Sequence, residues 1–292
     1  MKKLQIQSHQ KYMKKILIIT SITIVCLLVI YKYITWSKLQ KQIFDENFDR
    51  AEQYYEERNY TEAIDYYKKA LSIKSNNYIV NESIGRCYFK LKDYPSALPY
   101  CKKALKIQSN YGANFNVGQC YYLLKDYNSA LPYFIKAWWF ESNTYEVNSR
   151  IGSCYYELED YHSAISYYAK ALEIDPKEHW IYYSIGWCYH KLEDDHTAIQ
   201  WVKKVLEIDP NNYEACMNIG ISYDNLKEYY FAIHYFKKAL DIEPNSDTAN
   251  YRIGLSYYEL EKYPTALPYL QEAAKSGNEK AQELLKEIED EP

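Results

Sequence analysis

Six of the eight glycines, Gly85, Gly118, Gly152, Gly186, Gly220 and Gly254, stand 33, 34, 34, 34 and 34 residues apart. Ala51 lies 34 residues before the first and opens a seventh copy. A period of that length, held over most of a chain, means one supersecondary unit used many times. Around each anchor the same residues return. Three positions on comes a tyrosine (Tyr54, Tyr88, Tyr121, Tyr155, Tyr189, Tyr223, Tyr257), and twelve on an alanine (Ala63, Ala97, Ala130, Ala164, Ala198, Ala232, Ala266). Nineteen on stands Ala70, Ala104, Ala137, Ala171, Val205, Ala239 or Ala273, and Pro176, Pro210 and Pro244 close three of the copies.

The unit reads as a helical hairpin. Apolar residues just before the anchor and three after it, such as Ile84 and Tyr88, share one face of a first helix. Turn residues such as Lys92-Asp93 follow, then a second helix whose alanines allow close backbone approach, then a stop such as Glu243-Pro244. One hairpin cannot cover its own apolar face, so the copies must stack. Ala281, Leu284, Leu285 and Ile288 form a stripe on a last helix suited to capping the stack.

Segments 150–176 and 182–210 read close to the consensus of the tetratricopeptide repeat (TPR) family, which this pattern resembles over about 45–276. The resemblance implies an all-α, right-handed α-solenoid of about seven hairpins over 44–276, with a capping helix and tail over 277–292. It also implies a concave groove that takes a partner's peptide or helix. There are departures. Where the family favours a large residue four before the glycine, this chain has Asn81, Asn114, Asn148 and Asn250, so looser or water-filled packing is expected. Pro99, Pro132 and Pro268 fall inside second helices, where each removes a hydrogen bond.

On the first helices, positions three before, one after and four after the anchor lie opposite the packing face. They carry Arg86, Phe89, Phe115, Tyr122, Tyr156, Tyr183, Trp187, His190, Tyr251 and Tyr258, the candidate groove residues. Exposed aromatics are natural binding anchors; the structural alternative is that they only fill the groove. The carboxylate clamp of some family members needs a lysine and an asparagine at two of these positions, and no copy has either. Asn116 with Arg150 and Asn218 with Arg252 echo only its later part. Most of the 36 tyrosines have a packing explanation, since nineteen stand three, nine or fifteen after an anchor.

Ahead of the repeats, 16–31 is a charge-free apolar run; extended to Trp36 it reaches roughly 31 Å as a helix, enough for the roughly 30 Å bilayer core, with Lys32 interrupting the extension near an end where a lysine can snorkel to the interface. Tyr31, Tyr33 and Trp36 sit where an aromatic belt would be. No small-residue cleavage site follows the run, which favours an uncleaved single-pass transmembrane helix over a signal peptide. The layout is a basic tail over 1–15, the anchor over 16–36 and a linker over 37–43. Five lysines precede the run and three follow it, so the positive-inside tendency puts the N-terminus in the cytoplasm and the repeats outside.

Residues 1–41 hold eight lysines and no acid, leaving 27 cations against 39 acids in the rest. An acidic body argues against nucleic-acid binding. Cys87, Cys120, Cys154 and Cys188 recur two after the anchor, about one repeat apart and too far for mutual ligation, so they read as small buried residues. The six histidines show no ligand spacing, and neither a phosphate loop nor a catalytic triad signature is present. No metal, cofactor or enzyme activity is expected. The expected function is a membrane-anchored protein-interaction scaffold or assembly factor, the alternative an envelope glycan- or lipid-binding module using the same aromatic positions. Asn59 and Asn81 begin glycosylation sequons.

Overall fold

The computed structural model describes the backbone from residue 2 to 290 and the side chains of 20, 21 and 23–289. Those residues form fifteen helices and no strand. They are α1 (Lys2–Glu56), α2 (Tyr60–Ile73), α3 (Tyr78–Lys90), α4 (Tyr94–Ile107), α5 (Tyr111–Leu123), α6 (Tyr127–Phe140), α7 (Tyr145–Glu157) and α8 (Tyr161–Ile174). After them come α9 (His179–Lys191), α10 (Asp195–Ile208), α11 (Tyr213–Asn225), α12 (Tyr229–Ile242), α13 (Asp247–Glu259), α14 (Tyr263–Lys275) and α15 (Glu279–Asp290). The chain divides after Cys120 into two compact units. In each, helices pack mainly against their neighbours in sequence.

In the five hairpins for which the contact is described, the anchor glycine lets the two helices close. A Cβ on Gly220 would lie 2.4 Å from the Phe236 ring, and one on Gly152 would lie 2.7 Å from Tyr168. Gly85 meets Cys101, Gly186 meets Val202 and Gly254 meets Leu270 in the same way. Each partner stands sixteen after its glycine and fills the space between the two helices. The residue before each glycine (Ile84, Val117, Ile151, Ile185, Ile219, Ile253) is fully buried, as are the alanines at twelve and nineteen.

The turn is equally uniform. The residue seven after each anchor (Arg58, Lys92, Lys125, Glu159, Glu193, Lys227, Glu261) adopts a left-handed backbone with φ of 57–62°. The next residue's N–H returns to the carbonyl three after the anchor, as in Asp93 to Tyr88 and Asp160 to Tyr155, both 2.9 Å. That residue then starts the second helix. Asp93, Asp126, Asp160 and Asp194 each accept a backbone N–H three positions on, at 3.0–3.1 Å, so one aspartate closes one helix and caps the next.

Tyrosine abundance follows from a ring ladder along the hairpins. The residues three and fifteen after the anchor stack in Tyr54–Tyr66, Tyr88–Tyr100, Tyr121–Tyr133, Tyr155–Tyr167, Tyr223–Tyr235 and Tyr257–Tyr269, with centroids 5.4–5.9 Å apart. Lysines lie over several of these rings, Lys203 and Lys237 among them.

The four asparagines are tied to the first helices by local bonds. All are buried, and each Nδ2 donates to the carbonyl four residues earlier, at 2.8–3.0 Å. In α3, α7 and α13 that carbonyl belongs to the N-cap residue, so a local backbone bond takes the place of large-residue packing. Burial of Asn81 also removes it as a glycosylation site. Pro99, Pro132 and Pro268 stay within continuous helices α4, α6 and α14. Ala281 and Leu284 of α15 are buried against Ala266, Leu270 and Ala273, which makes α15 a cap for the second unit.

At the other end α1 runs unbroken through 37–43, so the stretch expected as a linker is helical. Among the described residues, no helix is long and apolar enough to cross a membrane. The side chains of 1–15, and those of 16–19 and 22 within the expected anchor, lie outside the described residues, whereas those of 24–36 stand exposed on α1.

Candidate functional site

Three of the ten expected groove residues, Arg86, Phe89 and Phe115, lie in the first unit and seven in the second. In most hairpins the residue four after the anchor meets the tyrosine nine after it, across the turn. The first unit has Tyr55–Tyr60 at 5.5 Å and Phe89–Tyr94 at 5.8 Å. The second has Tyr122–Tyr127 at 5.3 Å, Tyr156–Tyr161 at 5.8 Å and Tyr258–Tyr263 at 5.3 Å. These half-buried rings are therefore held in pairs, which joins residues expected in the groove to tyrosines expected to pack. Phe115 stacks on Tyr111 at 5.6 Å, and Arg86 lies exposed over the Tyr55 ring at 4.7 Å. Tyr122 also meets Phe134 edge-on and carries Arg150 over its face. Tyr251 packs into the cluster formed by α14 and α15. Tyr183 is tied to the start of α11, its hydroxyl donating to Asn212 Oδ1, and burial pushes its phenol well above the ordinary range. Trp187 differs from these, being 37% exposed.

The ring pair across the turn is broken in the hairpin of α9 and α10. His190 and Asp195 take the two positions, with Nδ1 2.8 Å from Oδ1. Asn225 on α11 donates to Asp195 Oδ2 at 3.2 Å and lies 3.4 Å from His190 Nδ1. With Nδ1–H given to the carboxylate, a neutral His190 keeps Nε2 as an acceptor. Asp195 is buried, while its neighbour Asp194 caps α10, and the bond from Thr197 holds Asp194 below the usual carboxylate range.

The next hairpin breaks the pattern too. Asp224 replaces the aromatic residue, with Arg252 Nη1 and Ser256 Oγ of α13 each at 3.4 Å. Burial pushes the Asp224 carboxyl above its ordinary range against the opposing pull of Arg252. Trp187 meets the His190 ring edge-on at 5.2 Å, and the two line a narrow cleft with Asn218 and Ser222. The second unit thus contains a polar interval of two hairpins within an aromatic series. Asp195 and Asn225 were missed in the sequence, although a signal existed: the aromatic four after the anchor and the tyrosine nine after it are both replaced in this one copy.

Six cysteines are buried and all seven are free. Burial pushes the thiols of Cys87, Cys154 and Cys188 up to about 12, so they are not nucleophiles at neutral pH. Cys120 Sγ approaches Cys101 Sγ at 3.8 Å, a neighbour that the spacing of the four recurrent cysteines did not anticipate. Among the described residues no three His, Cys, Asp or Glu side chains are placed to hold a metal ion.

Tetratricopeptide repeat models match residues 44–77, 83–111, 111–137, 143–211, 213–246 and 248–276. No curated protein sequence matches the chain. Among solved structures, the C-terminal part of a TPR repeat-containing protein from Cytophaga hutchinsonii aligns with TM-score 0.71 at 19% identity, over 81% of this chain and 98% of that one. YrrB, described as a TPR protein with an unusual peptide-binding site, aligns with TM-score 0.56 at 23% identity, over 63% and 95%. MamA aligns with TM-score 0.54 at 22% identity, over 59% and 94%. These likenesses are of fold. The repeat models along nearly all of 44–276 establish that the chain belongs to the tetratricopeptide repeat family.

Proposed function

We propose that the chain is a scaffold or assembly factor. Its second unit takes a peptide or helical segment of a partner protein against Trp187 and the His190–Asp195–Asn225 cluster. The observation that carries this reading is the broken ring pair. Five other hairpins fill the same two positions with aromatic rings, which is the packing solution of this chain. Giving it up for a half-buried histidine and a buried carboxylate has no packing advantage, and local departures of that kind collect at functional sites. An exposed indole beside a histidine acceptor supplies both an apolar anchor and a group that fixes register. Family membership supports the class of function, since proteins of this family are in general scaffolds rather than enzymes. YrrB, of the same fold, has a peptide-binding site.

In this reading residues 16–36 hold the chain at a membrane as a single-pass anchor, with the N-terminus cytoplasmic and the repeats beyond. The charge-free run and the exposed apolar side chains of 24–36 support it. The glycan- or lipid-binding reading of the aromatic positions gains no observation of its own.

The test replaces the polar pair with the ring pair of its neighbours. His190→Tyr with Asp195→Tyr should leave helicity and Tm unchanged, because the hairpin then matches that of Tyr156 and Tyr161. The binding of peptides selected against the wild-type full chain should weaken about tenfold or more, the scale of a central contact. Unchanged binding with lowered stability would return His190 and Asp195 to a purely structural role.

A further inference from the structure

We infer that the edge of the first unit from which α1 emerges is a docking surface for anionic lipid headgroups, a reading that rests on the proposed membrane anchor. The argument begins with register. α2 runs antiparallel to α1: Tyr55 meets Tyr60 near the turn, Phe48 meets Tyr67 farther along, and Phe44 joins the same cluster as Leu71. The end of α2 and the α2–α3 connection therefore lie level with the early forties of α1. Beyond that level α1 continues outward through Lys41 and Lys38 toward Trp36.

Charge at this edge departs from the rest of the chain. The stretch from seventeen to twenty-eight residues after each anchor covers the end of the second helix and the connection to the next hairpin. In the first unit these stretches, 68–79 and 102–113, carry three lysines each and no acid. The four corresponding stretches that follow, 135–146, 169–180, 203–214 and 237–248, each carry one more acid than base. The family consensus acid and proline, present as Asp175-Pro176 and Asp209-Pro210, are replaced by Lys74-Ser75 and Gln108-Ser109.

The structure brings the two basic stretches together. Ser75 and Asn76 of the α2–α3 connection share one recess with Lys103, Lys106 and Ile107 of α4. Ile79 and Ile107 also stand exposed on this edge. The acids at the same level are Asp45, Glu46 and Glu82, the last two accepting from the neutral donors Gln42 and Tyr78, and they stand against the six lysines of the two stretches and Lys38 and Lys41 of α1.

Distance decides whether the edge can reach lipid. From Trp36 to Phe44 the helix rises about 12 Å, and headgroups occupy the first 5–7 Å or so beyond the hydrocarbon. The remaining gap is about one lysine side chain and lies within the roughly 8 Å screening length at physiological salt. Exposed lysines and isoleucines at that height match an anionic interface, with lysines meeting phosphates and isoleucines entering between them.

The experiment reconstitutes the full chain into phosphatidylcholine vesicles with and without phosphatidylglycerol. It follows amide hydrogen exchange at 74–79 and 107–113, with 203–214 as internal reference. Exchange at the two basic stretches should slow by about fivefold or more with phosphatidylglycerol, the effect of even one lysine near a charged surface. The reference should not change, and Lys74→Glu with Lys106→Glu should abolish the difference. If the chain resists carbonate extraction yet exchanges equally in both lipids, the docking surface is wrong and the anchor stands. Protection of equal size in both lipids, as a second copy of the chain would give, overturns it as well. Extraction of the chain from both vesicles removes the anchor and this inference with it.

Discussion

A glycine and the residue sixteen after it set the spacing of every hairpin from the second onward for which the contact is described, and the contacts differ in how far they can yield. Replacing a helical glycine by alanine ordinarily gains up to about 1 kcal/mol through backbone propensity. At Gly220 the added methyl would stand 2.4 Å from the Phe236 ring, which is fully buried and has nowhere to turn. Gly220→Ala should therefore lower stability by about 1–3 kcal/mol, the usual cost of overpacking. Gly112 is the contrast, since a Cβ there meets only the side-chain ends of Asn110 and Glu82, both at 3.8 Å. Gly112→Ala should raise stability by up to about 1 kcal/mol. Chemical denaturation of the two variants beside wild type measures both signs at once, and equal shifts would refute the account. The positions of these glycines were plain in the sequence. Their partners were not, because Cys101, Tyr168, Val202, Phe236 and Leu270 differ widely in size and shape and share mainly a distance from the glycine. The same limit hid Asp195. Along the chain the residues four and nine after the anchor read as separate series, and only the turn brings their side chains together.

Between the two helices of a hairpin the chain has three residues in which to reverse, and the left-handed position is met seven times without a glycine. For an ordinary side chain that conformation costs on the order of 1–2 kcal/mol. Lys227→Gly should thus stabilise the hairpin of α11 and α12 by up to about 1 kcal/mol, with the greater freedom of glycine in the unfolded chain offsetting part of the gain. The next residue acts on the other helix. Asp160 accepts the Ser163 N–H, and Asp160→Ala should cost about 0.5–2 kcal/mol. Glu228, in the equivalent place before α12, makes no side-chain cap bond, so Glu228→Ala should cost measurably less. Thermal unfolding of these three variants tests whether turn and cap act independently. If Asp160→Ala and Glu228→Ala cost the same, the cap bond contributes nothing. These turns were legible as turns, since Lys92-Asp93 and its relatives are polar residues between two helical patterns. The bond from each asparagine amide nitrogen to the carbonyl four residues earlier was not legible, because the position is usually filled by bulk. The buried Oδ1 of Asn81 and of Asn148 finds no partner among the described residues, in keeping with the wet packing expected there.

In the whole molecule, register mattered more than any single motif. Seven copies in phase made the stacked hairpins legible from spacing, and the resemblance to the tetratricopeptide repeat supplied the rest of the expected fold. The charge reversal between the first two basic stretches and the four that follow became meaningful only when the direction of α1 was known. Packing mainly between helices adjacent in sequence also means that damage should stay local, as in a one-dimensional array. The cap offers the cleanest trial. α15 buries Ala281 and Leu284 against Ala266, Leu270 and Ala273, with Leu285 and Ile288 packed beside them. A chain ending at Ser276 uncovers that face of α14, and on the scale of two or three apolar side chains it should lose about 2–5 kcal/mol of local stability. Native-state hydrogen exchange should show the loss in α13 and α14, fading through α12 and α11, with the amides of α2, α3 and α4 exchanging as in the intact chain. An equal rise in exchange in α2 to α4 would mean that the repeats unfold as one cooperative body, and the nearest-neighbour account of this solenoid would have to be abandoned.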